Sequence, residues 1–253
     1  MGIGAVGLSV LLAGAWLATP SQAADAAEIY LVQGLPNRSL DVEIDGDSVA
    51  EGVAATKVAG PFDVSAGSHT VRVSEDGKTV VEKTVKVKAD DSSDVVVHLP
   101  SPGDTDPVMT SYDNDLSAVP ADKANLTVAH TAAVPPADVT VNGKVLFSDI
   151  ANGEALSLVV PVGTYEVAIV PHEKESPVYL GPLKLTTKGG ALNRVYAVGD
   201  PDKKSMNVVV HVIDVQKSGS KKPKMVDTGT GGQAAALSGR PGREPALWVD
   251  LTR

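Results

Sequence analysis

Apolar and polar positions alternate along most of the chain between residues 27 and 213. Val42 and Ile44 are separated by polar Glu43, and Val139 and Val141 by Thr140. A period of two gives one buried and one wet face, which is the pattern of a strand in an antiparallel sheet. Each of these strands runs into Asp45-Gly46 or Asn142-Gly143, the residue pairs preferred in a tight type I′ hairpin turn. The pattern continues in Val71 and Val73, in Tyr165, Val167 and Ile169, in Val85 and Val87, and in Leu183 and Leu185. No stretch carries a 3.6-residue apolar stripe. Strands about 8–12 residues apart, broken by Gly, Pro and Asp, predict β-sandwiches.

The phrase at 40–47, LDVEIDGD, returns at 137–144 as ADVTVNGK, an offset of 97, and SAGSHTVRV at 65–73 returns as PVGTYEVAI at 161–169, an offset of 96. That period is too long for a solenoid and predicts a duplicated domain. The expected fold is all-β, two tandem antiparallel β-sandwich (Ig-like) domains at 27–100 and 124–213. Between them, residues 101–123 hold five Asp and three Pro, a composition that predicts a semi-rigid linker holding the domains apart.

The ends differ from this body. Ile3–Ala18 is an uncharged apolar run followed by TPSQAADAAE. This resembles a secretory signal, residues 1–23, cut at Ala23/Ala24, although no basic residue precedes the run. About 16 apolar residues fall short of the ~20 that span a bilayer. Contact with a membrane is therefore expected only through this segment before cleavage. The tail, 214–253, is rich in Gly, Lys, Ser and Pro and is expected to be disordered. KMVDTGTGG at 224–232 lacks the Leu-Pro of a sortase signal, and TGTGG lacks the strand and Lys of a phosphate loop.

The repeated phrases resemble the bacterial family catalogued as domain of unknown function 4397. The second copy matches more fully: His130, Pro135-Pro136, Asp138 to Gly143, and PVGTYEVAI. The first has Gln33 in place of His130 and Ala66 before its glycine. The resemblance implies exported, surface-associated β-domains, often in tandem, with no known activity or catalytic residues.

Charge and composition narrow the chemistry. Residues 24–213 hold 15 basic and 27 acidic side chains, net −12, and the tail is +3. An acidic body is unsuited to phosphate backbones, whose binding rests on Lys and Arg, so no nucleic acid partner is expected. The absence of cysteine excludes disulfides, thiolate zinc sites and cysteine nucleophiles. The histidines, His69, His98, His130, His172 and His211, are too far apart for a local metal motif. His69 stands where Tyr165 stands in the other copy, predicting inward packing, and His130 is placed to bond the backbone of the Pro bend. No G-x-S-x-G elbow occurs. Asp104, Asp106, Asp113 and Asp115 offer oxygen ligands for a weak calcium site between the domains, without the EF-hand pattern. The reading is an exported, non-enzymatic surface or envelope-associated binding or spacer protein with an unidentified cell-envelope or extracellular ligand. The alternatives are a secreted hydrolase assembled from distant loops and a calcium-stiffened adhesion module.

Overall fold

The computed structural model describes residues 26–215, and the proposed signal segment and almost all of the tail lie outside them. No helix occurs among the described residues. The first eight strands are β1 (Ala26–Gln33), β2 (Ser39–Ile44), β3 (Asp47–Ala54), β4 (Val58–Ser65), β5 (Gly67–Glu75), β6 (Lys78–Val87), β7 (Ser92–His98) and β8 (Val108–Asp113). The next eight are β9 (Lys123–Ala132), β10 (Ala137–Val141), β11 (Lys144–Ile150), β12 (Ala155–Pro161), β13 (Thr164–Pro171), β14 (Leu180–Thr186), β15 (Ala191–Gly199) and β16 (Asn207–Asp214).

These strands make two sandwiches of the same topology. Sheets β4-β1-β7-β8 and β3-β2-β5-β6 form the first, and sheets β12-β9-β15-β16 and β11-β10-β13-β14 the second. Adding eight to each strand number of one sandwich yields the other. Each core is built from the aliphatic positions the alternation marked. Val42, Ile44, Val71, Val73, Val85 and Val87 are buried in the first, and Val139, Val167, Ile169 and Leu185 in the second. Fully burying one such side chain stabilises by about 1.5–3 kcal/mol.

The repeated phrase does the same structural work twice. Asp45 (φ 53°) with Gly46 (φ 91°), and Asn142 (φ 50°) with Gly143 (φ 75°), sit in the left-handed region that a type I′ turn requires. The first turn residue also caps the next strand. Thr70 N donates to Asp45 Oδ1 (2.8 Å), and Glu166 N to Asn142 Oδ1 (3.0 Å). At the head of the phrase, Asp41 Oδ1 accepts from Gly52 N (2.9 Å) and Asp138 Oδ1 from Asp149 N (2.8 Å). Gly52 and Asp149 are themselves left-handed (φ 63° and 55°), so this carboxylate secures a backbone irregularity in the neighbouring strand.

Two features depart from the sequence expectations. Each sandwich contains one parallel ladder, β1 with β7 and β9 with β15, in an otherwise antiparallel arrangement. The crossover through the outer sheet returns the chain beside its first strand in the same direction. The acidic segment 101–123 is also more than a spacer. Its residues 108–113 are β8, paired antiparallel with β7, because Met109 enters the first core and Tyr112, on the other face, packs at the junction, contributions that the count of Asp and Pro obscured. The sandwiches are not held apart. Val32 and Val96 pack with Ala129, Tyr196, Val198 and Val209 in one buried cluster that joins the inner sheet of each.

Asp138 accepts from four donors: Ser148 Oγ (3.0 Å), Asp149 N (2.8 Å), His172 Nδ1 (2.9 Å) and Glu173 N (3.1 Å). Asp138→Ala is expected to lower the unfolding free energy by about 1–3 kcal/mol. Asp41→Ala should cost less, since one backbone bond depends on it. Urea denaturation of the two variants gives the comparison, and equal losses would contradict the assignment.

Candidate functional site

β7 and β15 are central in their sheets, and every residue of both is buried. One set of alternating side chains faces its own sandwich core: Val95 and Val97 on β7, Val195 and Ala197 on β15. The other set meets across the junction. On β7 this second face carries Asp94, fully buried. Its carboxylate accepts from Tyr196 O–H (2.6 Å), His211 Nδ1 (2.9 Å) and Asn114 Nδ2 (2.9 Å). Tyr30 covers His211, with ring centroids 4.4 Å apart. Arg194 donates to the Asp113 carbonyl and lies 5.8 Å from the centre of the Tyr112 ring, while Tyr112 O–H donates to Gly153 O (3.0 Å).

The electrostatics follow from these bonds. Burial alone would raise the Asp94 pKa, but the hydrogen bond and charge of His211, with Asn114 and Tyr196, hold it below its ordinary value. Burial and the adjacent Asp94 push Tyr196 well up. The junction thus joins an ionised carboxylate to a neutral phenol. At the far end of β7, burial pushes the His98 imidazole down to about 4. It bonds Leu99 O (2.8 Å) and Thr110 Oγ1 (2.9 Å). Asn152 Nδ2 then bridges the sandwiches by donating to Leu99 O (3.2 Å) and Ala132 O (2.7 Å).

The histidines singled out by sequence take structural positions. His69 is buried, with Nδ1 against Asp45 Oδ2 (2.7 Å) and Nε2 on Ser65 O (2.7 Å). Its counterpart Tyr165 donates O–H to the equivalent carbonyl, Pro161 O (2.6 Å). His130 Nε2 bonds Pro135 O (3.3 Å) across the proline bend, and Gln33 Nε2 donates to Arg38 O (3.1 Å) at the matching place. One triad-like grouping does occur. Ser148 Oγ lies 3.4 Å from His172 Nδ1, but that nitrogen already faces Asp138 at 2.9 Å. A nucleophilic relay needs serine and carboxylate on opposite ring nitrogens. Here the hydroxyl donates to the carboxylate directly, and the unused Nε2 faces Glu173 (3.8 Å).

The four proposed calcium ligands are not brought together. Asp104 and Asp106 precede β8, whereas Asp113 ends it and Asp115 follows. Six strand residues span about 20 Å. Asp113 accepts from Ser93 Oγ (3.2 Å), and Asp115 from Ser117 N (3.0 Å). Among the described residues no three His, Asp or Glu side chains are grouped to hold a metal ion.

Surface concavity lies at the two ends of the junction. A cleft of about 460 Å³ is lined by Leu99, Pro100, Asp104, Pro135, Tyr179 and Lys203. At the opposite end of β1, a cleft of about 450 Å³ is lined by Glu28, Tyr30, Asp63, Asp90, Asp91 and Asp214, among others. Both are formed jointly by the two sandwiches.

The family model for the Domain of unknown function (DUF4397) matches residues 27–137. That span covers the whole first sandwich, then β9, His130 and the proline bend. No curated protein matches the chain.

Sequence reading missed Asp94, Asn114 and Tyr196, and named His211 without finding its partner. The available signal was an acidic residue inside an aliphatic run, SSDVVVH, with its counterpart ALNRVYAVG. Asp94→Ala should cost about 3–5 kcal/mol, the range for leaving buried polar partners uncompensated, and Tyr196→Phe about 1–3 kcal/mol. Calorimetry should show one transition for the native chain and two for Asp94→Ala as the sandwiches uncouple. A single undisplaced transition in that variant would refute the coupling.

Acid should weaken the fold in two stages. Because the His98 pKa in the folded state lies below its unfolded value of 6.5, its contribution is lost as pH falls from 6.5 toward 4. Asp94 and Asp138, also depressed, lose theirs at still lower pH. His98→Gln should reduce the slope of melting temperature against pH in the first window alone, leaving there the part due to His130, whose imidazole is also pushed down by burial.

Proposed function

We propose that the protein is an exported, surface or envelope-associated binding or spacer module in which two copies of one β-domain act as a single rigid unit. The supporting observation is the use of its buried ionisable groups. His69, Asp94, His98, His130, Asp138, Arg194 and Tyr196 are the buried ones among the described residues. Each bonds strand to strand, bend to strand, or sandwich to sandwich. Catalytic groups need the opposite arrangement, with a perturbed side chain left facing a site where substrate can sit. The clefts at the junction ends instead present loop residues on a fixed scaffold, the usual setting for recognition. The apolar run at 3–18 and the small residues before Ala24 support delivery across the membrane.

Fractionation of the native host tests this reading, combined with crosslinking from a photoreactive group at exposed Thr105, beside the 460 Å³ cleft. The expected result is a chain lacking residues 1–23 in the envelope or medium, crosslinked to one reproducible neighbour. An uncleaved chain confined to the cytoplasm would overturn it.

A further inference from the structure

The two sandwiches share a topology but treat their exposed edges differently. β4 and β12 are equivalent edge strands of the inner sheets. Open edges invite pairing with another chain, and proteins blunt them with charge, proline or bulges. β4, VAGPFDVS, is blunted by Pro61 and Asp63 and by a register shift against β1. β12, ALSLVVP, has no charged residue, pairs with β9 without a shift, and meets proline only at its last position.

Exposed apolar surface follows the same division. Among the described residues, every exposed large apolar side chain falls between Val145 and Val212. Leu156 (42% exposed), Val159 (55%) and Val162 (45%) cluster on β12 or next to it. The phase of the ladder leaves this edge available. His130 N to Glu154 O (2.9 Å) and Val162 N to Asp122 O (3.0 Å) bracket the β9–β12 pairing. Antiparallel alternation between those bonds turns the N–H and C=O groups of Ala155, Ser157 and Val159 away from β9.

Charge selects the occupant. Residues 27–123 hold 8 basic and 18 acidic side chains, net −10, whereas residues 124–213 hold 7 and 8, net −1. Joining two molecules through their second sandwiches leaves the strongly acidic halves outermost, where mutual repulsion is least. We infer that β12 pairs antiparallel with β12 of a second copy, making a twofold dimer with a continuous eight-stranded sheet. A twofold axis brings a strand against itself antiparallel, so one edge supplies both partners. Centred on Ser157, the register sets Leu156 against Leu158 of the second copy and Val159 against Ala155 of the second copy. Every cross-strand pair flanking the axis is then apolar, the kind that stabilises a ladder.

Sedimentation equilibrium of the full chain tests this with three substitutions. The native chain should sediment as a dimer. Val159→Lys replaces an apolar cross-strand pair with a charged side chain against Ala155 of the second copy and should weaken dimerisation at least ten-fold, with an unchanged melting curve because the site is exposed. Ser157→Pro removes an outward N–H and should give monomer. Val145→Lys, at an equally exposed position on β11 (55%), should leave the dimer intact. A native chain that stays monomeric to its solubility limit overturns the inference. So does dissociation by Val145→Lys as strong as that by Val159→Lys.

Discussion

Asp94 places an ionised carboxylate between two sheets with no exposure to solvent, and much of the architecture answers to that one group. An uncompensated buried charge costs several kcal/mol or more. Its three donors come from β15, from β16 and from the segment after β8, so satisfying it requires strands of both sandwiches to be in place. Valines 32, 96, 198 and 209 pack in one buried cluster with Tyr196, the phenol that donates to Asp94. Apolar packing supplies the attraction between the inner sheets, and the carboxylate fixes their orientation. Valine against valine tolerates a sliding contact, but a carboxylate with three directed bonds does not.

The junction also explains why β7 and β15, SSDVVVH and ALNRVYAVG, lack a clean apolar–polar alternation. A strand buried on one face alternates, and a strand buried on both does not. Within one sandwich, a four-stranded inner sheet would leave its outer face wet. Packing inner sheet on inner sheet makes a four-layer body in which the outer sheets, β3-β2-β5-β6 and β11-β10-β13-β14, keep a solvent face, while the central strands β7 and β15 keep none. Those outer strands are the ones whose alternation is clearest in the sequence, as at DVEIDG and DVTVNG.

Legibility followed this division. The hairpin turns, the inward packing of His69 and the backbone bond of His130 could be read because each depends on residues close in sequence. A turn is set by two neighbours, and the His130 contact spans five residues. The acidic body charge was also legible and remains concentrated in the first half. The parallel ladders, the membership of β8 in the first sheet and the Asp94 junction were not, because their partners lie far along the chain. Asp94 and His211 are 117 positions apart. The valines beside Asp94 are the one local sign that it is bound for the interior, and nothing local names its partner. The candidate calcium residues illustrate the converse: closeness in sequence suggested a cluster, and the extended conformation of β8 separated its two halves.

The repeated topology gives each position a counterpart under nearly identical backbone constraints, so differences between the two sandwiches reveal what the fold does not demand. Where it demands a donor to a particular carbonyl, the copies meet it by different chemistry: Gln33 or His130 at the proline bend, His69 or Tyr165 at the strand entry. Where it demands an acceptor in the turn, Asp45 and Asn142 serve alike. The edge strands are a contrast. The fold requires only that β4 and β12 pair on one side, and their free sides have diverged from guarded to bare. Bareness on a stable, acidic body carries a standing hazard of association. Its confinement to the nearly neutral half is a difference that the common fold leaves unexplained, and a partner bound at that edge would account for it.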